Sequence, residues 1–490
     1  MSENMIQAGV FALVTALIGL LTYFKCRGHG RGKGKDEQNK EYFLAGGGLS
    51  WMFVAGSITL TNLSTDQLVG MNGNQMALLA VWEFAAVVGL IILATVFLPV
   101  YYKYQCTTTT ELLEKRYKNK HIRAVIGMLF FLGNALIYMP AVIYSGSLFM
   151  QSMFNVDIPL MYIAIAFAAL GAVYAIFGGL RAVAVSDTYS GVLLLSMAVL
   201  VVFLALNAID YDFTGIPAER LTLLGDDDSP VPWPTLFTGM LLIQMYYWGT
   251  NQTITQRAMA APNIKEAQKG VFAACGIRLL IVPAIIVIPG IVSYKLYGDI
   301  GDTAYGRIVG DVMPLWLTGV FAAAMAAAVL STYNSLLNSA TALYVCDIHE
   351  AYFNKNPNVV KLSGWVTALL TVLTLVLVPI YQQAESIINL LQQLNGLLSM
   401  PILSIFIVGL AFRNVDARAG IAAVIMGVFM YAFLTFDFSP IKLSWHYIHV
   451  MPLTLIACVS FALLVNKFVF GGKAEFAWGS DDGLHSSSDA

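Results

Sequence analysis

The chain reads as an all-α polytopic membrane protein of about thirteen transmembrane helices that contain two inverted five-helix repeats. Three observations lead there. Of its 490 residues 58% are hydrophobic and only 11% charged, less than half the ~25% charge of a soluble globule, and mean hydropathy is +0.72. Apolar stretches recur at the length that crosses a ~30 Å hydrocarbon core as a helix. Two of these stretches are interrupted by polar residues, and they lie five stretches apart.

The stretches run 5–24, 48–71, 76–100, 122–152, 157–178, 181–207, 232–256, 270–295, 312–345, 362–380, 385–411, 417–436 and 445–469. Strands of a membrane barrel would be ~10 residues long and strictly alternating, a pattern this chain lacks. Lys and Arg set the orientation. With the N-terminus outside, the segments facing the cytoplasm hold 22 of them, and the outer segments hold four: Arg220, Lys295, Arg307 and Lys442. Arg278 alone falls within a stretch. The expectation is a multi-pass protein of the plasma (inner) membrane with its N-terminus outside and its C-terminus cytoplasmic.

The first stretch lacks a basic leader and a small-residue cleavage site, and basic "KCRGHGRGKGK" follows it, so it reads as a retained helix. "GRGKGK" is Gly-rich but lacks the G-K-[ST] of a phosphate loop, which leaves a flexible basic linker. The segment 208–231, with "GDDDSP", is acidic and expected to be solvated, and the tail "GSDDGLHSSSDA" is polar and expected to be disordered. Cys26, Cys106, Cys275, Cys346 and Cys458 are scattered, three of them in or beside cytoplasmic segments, so disulfides are not expected. No soluble domain is indicated.

The second stretch is broken at "TNLSTDQ", where Thr61, Ser64 and Thr65 crowd together with Asn62, Asp66 and Gln67. The seventh is broken at "YYWGTNQT", 246–253. Interrupted helices at corresponding positions of two halves point to an inverted-repeat transporter with its site near the bilayer midplane. An odd number of helices per repeat makes the second copy enter from the opposite side. The expected organisation is an extra helix and basic loop over 1–47, a first repeat over 48–231, a second over 232–415, and two peripheral helices with the tail over 416–490. Irregular backbone inside a membrane is tolerated only where it lines a cavity or is buried in protein. Isolated hydroxyls more often bond across helices as glue, but here amides and a carboxylate share the same turns.

A second hydroxyl cluster, "AAAVLSTYNSLLNSAT" at 326–341, lies in the ninth stretch. Ala326, Ala327 and Ala328 permit close backbone approach, and Ser331 and Thr332 offer adjacent oxygens. Neutral oxygens in a small cage suit Na⁺, a hard cation. No His/Cys cluster has the spacing that zinc or iron requires. Ionisable residues inside apolar stretches are functional candidates, here Asp66, Glu83, Asp187 and Arg278. Asp187 reads equally as a structural cap near the cytoplasmic end of its stretch, and Arg278 is close enough to that side to snorkel. Trp82, Tyr246, Tyr247 and Trp248 suit stacking against a sugar, although most membrane-protein aromatics are packing groups or interface anchors.

With these residues in place, the sequence resembles the sodium/solute symporter family, in its sodium/sugar branch. "EYFLAGGGLSW", "TNLSTDQLVGMNG", "FGGLRAV", "SDTYSG", "YYWGTNQTITQRAMAA", "EAQKG", "IVIPGIVSY", "AAAVLSTYNSLLNSATALYVCDI" and "LQQLNGLLSMP" match its motifs in order through most of the chain. The resemblance implies a LeuT-type fold and co-transported Na⁺. It implies ion ligands at the carbonyls of Leu60, Leu63 and Ala328 and the hydroxyls of Ser331 and Thr332, with Asp187 near the ion's exit path. It implies a sugar site at Asn62, Gln67, Glu83, Gln244, Tyr247 and Gln392, with Tyr247 also the inner gate. Two positions depart from the galactose-transporting members: Gln244 stands where they have Asn, and Leu279 where they have Lys, with Arg278 one residue earlier and ~100° away around a helix.

The expected activity is sodium-coupled symport of a hexose or related polyol into the cell by alternating access. The alternative is symport of a non-sugar solute such as sialic acid, proline or another carboxylate. No charged ring or filter motif suggests a channel, and no nucleophile or acid–base constellation suggests an enzyme. The partners implied are the solute, Na⁺ and the bilayer. Neither nucleic acid nor an obligate protein partner is implied.

Overall fold

A backbone in hydrocarbon must satisfy its own amides and carbonyls, and this chain does so with helices. The computed structural model describes residues 3–26, 43–227 and 229–477. The linker "GRGKGK" and the tail "GSDDGLHSSSDA" lie outside the described residues. In chain order the helices are α1 (Glu3–Cys26), α2 (Trp51–Asn62), α3 (Thr65–Gly73), α4 (Ala77–Tyr104), α5 (Thr109–Tyr117) and α6 (Lys120–Phe154). There follow α7 (Leu160–Ala208), α8 (Gly239–Gly249), α9 (Gln252–Met259), α10 (Ile264–Tyr297), α11 (Ala304–Val312) and α12 (Leu315–Tyr352). The last are α13 (Val359–Tyr381), α14 (Ile387–Ala411), α15 (Ala417–Thr435) and α16 (Tyr447–Phe468).

Among the described residues nine helices are long and apolar enough to cross a membrane. The other expected stretches coincide with shorter apolar segments, Gly9–Thr22 and Leu160–Ala175, and with the interrupted pairs α2/α3 and α8/α9. One expected boundary differs. The sequence separates stretches at 178 and 181, whereas α7 is helical throughout. Gly178 and Gly179 interrupt the apolar pattern in the sequence without ending the helix.

Burial is inverted relative to a soluble bundle. On α13 the exposed face carries Trp365, Leu369, Val372, Val376 and Ile380, spaced three or four residues apart, while Thr367, Thr371 and Thr374 are buried. The Tyr333 hydroxyl of α12 reaches Thr371 at 3.3 Å and Thr374 at 3.4 Å. The apolar stripe suits lipid, and the hydroxyls bond within the protein. At the centre, α7 packs on α12 and α2, and α14 packs on α15 and α16. A two-residue strand, Phe412–Arg413, pairs antiparallel with Glu475–Phe476 and ties the C-terminal segment to the end of α14.

The segment 208–231 is anchored rather than merely solvated. The Arg220 guanidinium lies 3.8 Å from the centre of the Tyr294 ring, pairs with Asp299 at 3.0 Å and donates to the Asn74 carbonyl at 3.3 Å. At the same end, Asp302 accepts from the Ile387 amide at 2.8 Å and satisfies an otherwise free donor at the start of α14. A side chain at Gly73 would put its Cβ 2.9 Å from the Asp302 Cα, so glycine permits this approach.

Burial lifts the Asp302 carboxyl from 3.8 to about 6. The folded state therefore holds this proton more tightly than the unfolded chain does. Its stabilising contribution is complete below the ordinary value and is lost as pH rises through about 6. Between about pH 5 and about pH 7 the apparent Tm of wild type should fall more than that of Asp302→Asn. Equal slopes in the two proteins would remove Asp302 as the source.

Candidate functional site

The site is organised by two failures of helical hydrogen bonding. α2 ends at Asn62, Leu63 leaves the helix at φ −75°, ψ 65°, and Ser64 is extended at φ −92°, ψ 173°. The Leu63 amide still reaches the Thr59 carbonyl at 2.7 Å, and the ladder resumes with the Leu68 amide on Ser64 at 3.0 Å. The carbonyls of Leu60, Thr61, Asn62 and Leu63 are left without a helical amide. Thr332 Oγ1 reaches the Leu60 oxygen at 3.5 Å, and Ser64 Oγ reaches that of Asn62 at 3.4 Å. The second break follows Gly249. Asn251 caps α9 by accepting from the Thr253 amide at 2.9 Å, and the Tyr101 hydroxyl donates to the Gly249 carbonyl at 2.9 Å. A Cβ at Gly249 would lie 2.5 Å from the Phe97 ring, so the break also needs a residue without a side chain.

A cavity of about 670 Å³, its mouth included, opens beside the two breaks. Asn62, Gln67, Glu83, Gln244, Tyr247 and Gln392, all six positions named for the sugar, line it. Asn62 Nδ2 donates to the Tyr247 hydroxyl at 2.9 Å. Gln67 Nε2 donates to one Glu83 oxygen and Arg278 Nη1 to the other. Trp248 Nε1 donates to Gln244 Oε1 at 2.8 Å, and Gln244 Nε2 to the Trp82 carbonyl at 3.2 Å.

Several expectations are corrected here. Arg278 does not snorkel: its side chain is 0% exposed and ion-paired to Glu83. Leu279, the position where related sequences carry Lys, is 47% exposed on the outside of the bundle, so the cation facing Glu83 is Arg278. Tyr246 lies off the cavity, its ring 6.1 Å from that of Phe130. The lining also includes Tyr138 and Asn395, joined at 2.6 Å, which sequence reading missed. Tyr138 closes a π-helical turn, Asn134–Tyr138, just before Pro140, and that proline was the one signal available.

The two hydroxyl clusters also meet, with Thr61 Oγ1 3.4 Å from Ser335 Oγ. Ser331 donates to one oxygen of Asp187, and Ser57 donates to the other at 2.6 Å. Asp187 is fully buried in the interior of α7 and bonded to Ser331 of α12, so it is not a helix cap. Leu63 and Ala328 are fully buried on the same two segments, Ala328 one turn before Thr332. Arg257, counted by sequence among the cytoplasmic cations, is also fully buried. It donates to Thr61 Oγ1 at 2.8 Å and to the Thr253 carbonyl, and it interacts electrostatically with Asp187.

A family model described as "SSF: Sodium:solute symporter family" matches residues 42–427. The chain belongs to this family. A symporter of Escherichia coli (strain K12) called YidK and described as uncharacterized is 33% identical over 94% of this chain and 84% of its own length. A sodium/glucose cotransporter of Vibrio parahaemolyticus is 28% identical over 94% of this chain and 91% of its own length. Sodium/myo-inositol cotransporter 2 of Oryctolagus cuniculus is 28% identical over 84% and 68%. Among solved structures, a Na⁺-coupled sialic acid symporter in a substrate-bound outward-open state superposes with TM-score 0.78 at 17% identity, covering 97% of this chain and 99% of that one. MhsT in complex with L-phenylalanine superposes with TM-score 0.52 at 14% identity, covering 90% and 100%. The fold is LeuT-type. As a sodium:solute symporter the chain is a multi-pass membrane transporter rather than an enzyme, and Na⁺ is its co-transported ion.

If the Leu60/Leu63/Ala328/Ser331/Thr332 cage holds that ion, replacing Ser331 and Thr332 together with Ala should abolish Na⁺ stimulation of uptake in proteoliposomes. Unchanged sodium dependence would place the ion elsewhere.

Proposed function

We propose that this symporter carries a hexose or related polyol, with Na⁺ held between α2 and α12. The observation that carries this reading is the cavity's composition: Asn62, Gln67, Glu83, Gln244 and Gln392 offer donors and acceptors for hydroxyls, and Trp82, Tyr247 and Trp248 offer apolar ring faces. Sugars present that mixture of hydroxyls and C–H surface. The sodium/glucose and sodium/myo-inositol cotransporters among the relatives support the reading.

In the proposed cycle Na⁺ enters from outside and is ligated by the carbonyls of Leu60, Leu63 and Ala328 and the hydroxyls of Ser331 and Thr332. Its charge draws the broken α2/α3 pair onto α12 and favours the conformation that accepts sugar. Sugar bonds to Asn62, Gln67, Glu83, Gln244 and Gln392, the repeats over 48–231 and 232–415 rock, and Tyr247 gives way on the cytoplasmic side. Asp187 receives the ion as it leaves. The excess of Lys and Arg in the alternate segments supports an outside N-terminus and a cytoplasmic C-terminus. Coupling requires that each solute bind one conformation better than the other. One Na⁺ supplies ~2.3 kcal/mol per 100 mV and ~1.4 kcal/mol per tenfold gradient. Together these support an accumulation of several hundredfold per coupled ion.

Uptake of labelled galactose, glucose, mannose, inositol, sialic acid and proline into proteoliposomes, with and without an inward Na⁺ gradient, tests the reading. A sodium-driven signal for a hexose or inositol is expected. A signal confined to sialic acid or proline would overturn the sugar assignment and leave the fold and ion coupling intact. Gln392→Ala should raise the apparent KM for the carried sugar about tenfold, the effect of losing one or two hydrogen bonds, while leaving the sodium dependence in place. An unchanged KM would remove Gln392 from the site.

A further inference from the structure

Among the described residues lining the cavity, three carry formal charge: Asp66, Glu83 and Arg278. They are not equivalent. Arg278 is 0% exposed and Glu83 2% exposed by side chain, and they form a direct ion pair. The remaining Glu83 oxygen accepts from Gln67. The Arg278 guanidinium lies 4.9 Å from the centre of the Trp248 ring, and the Trp248 indole N–H is held by Gln244. The cation of the lining is thus engaged on one edge by a carboxylate and on one face by an aromatic ring. Asp66 adds a further negative charge, its carboxylate accepting from Ser64.

The electrostatic consequence follows from the low dielectric of such a site. A carboxylate entering the cavity meets the mutually neutralised Glu83–Arg278 pair and the Asp66 carboxylate. It must leave water without gaining a free counter-charge. An uncharged polyol avoids that cost. Its hydroxyls both donate and accept, and in the cavity wall the buried Gln67 Oε1 and the Nε and Nη2 of Arg278 have no partner among the described residues. An N–H of a paired guanidinium still donates to a neutral oxygen, whereas its attraction for an anion has been spent on Glu83.

We propose that the buried Glu83–Arg278 pair is the specificity-determining element of this symporter, selecting uncharged polyhydroxylated solutes and rejecting those in which a hydroxymethyl group is replaced by a carboxylate. The word "polyhydroxylated" rests on the sugar reading given above; the charge rule rests on the ion pair.

Matched ligands that differ only in that group test it. D-galactose against D-galacturonate, and D-glucose against D-glucuronate, compete with uptake of the carried sugar into proteoliposomes at neutral pH under an inward Na⁺ gradient. In wild type each uronate should compete at least ~30-fold more weakly than its hexose, the scale on which sites reject groups they are not built to pair. Glu83→Gln strips the partner from Arg278, and the ratio should fall by about tenfold or reverse. Because that variant strands a buried charge and risks misfolding, the double variant Glu83→Gln/Arg278→Gln is made alongside it. It restores neutrality and should again reject the uronate, even with weakened affinity for the hexose. The reading is a ratio of two ligands on one protein, so a general loss of folded protein does not move it. Hexose transport with uronates competing equally in wild type, or an unchanged ratio in Glu83→Gln, would overturn the charge rule and leave the sugar reading standing. Sodium-driven uptake of sialic acid, with no hexose or inositol transported, would overturn both.

Discussion

The candidate site is organised around four backbone carbonyls that a helix would otherwise have used. At Leu60, Thr61, Asn62 and Leu63 the α2 ladder stops in the middle of the protein, and the membrane offers no water to replace the missing amides. The surrounding sequence answers that deficit. Ser64 turns back onto Asn62, Thr332 reaches across from α12 to Leu60, and small residues on α12 let it come close. Sites for ions in proteins of this kind are made by leaving such a deficit partly unfilled.

The same turn distributes three consecutive residues to three places. Leu60 meets the α12 hydroxyl, Thr61 receives the buried guanidinium of Arg257, and Asn62 holds the Tyr247 hydroxyl in the cavity lining. A shift of the α2 terminus cannot alter one of these contacts without straining the other two. The proposed ion cage, the inner polar network and the cavity thus share one backbone segment, and a shared element of this kind is what coupling between two sites requires.

Much of this was legible in the sequence because the signals were local. Polar residues inside apolar stretches marked both breaks, and the motif resemblance named six positions that line one cavity. What stayed hidden was set by tertiary geometry. Whether Arg278 snorkels or turns inward depends on where Glu83 of a different helix sits, and nothing in the neighbouring residues of either one records that distance. Arg257 looked like a cytoplasmic loop cation because it follows an apolar stretch by a single residue, yet α9 folds it beneath the second break. Segment 208–231 looked solvated by its acidic composition, but Arg220 and the Asp212–Lys295 ion pair dock it onto the bundle. Tyr138 and Asn395 pair with each other across a long sequence separation, and apart from Pro140 nothing local marked them.

α14 is fastened at both of its ends. At its start the Ile387 amide is fastened to Asp302, and at its far end Arg116 grips the carbonyls of Gly409 and Phe412 while a short strand pairing adds a second tie. Between these clamps lies Pro401, which has no amide to give to the ladder. Gln392 and Asn395, the cavity-lining polar groups of this helix, sit on the Asp302 side of that proline. A rod fastened at both ends and weakened at one interior point flexes there first. Any bending of α14 is therefore concentrated at Pro401, between the turns that line the cavity and the turns gripped by Arg116.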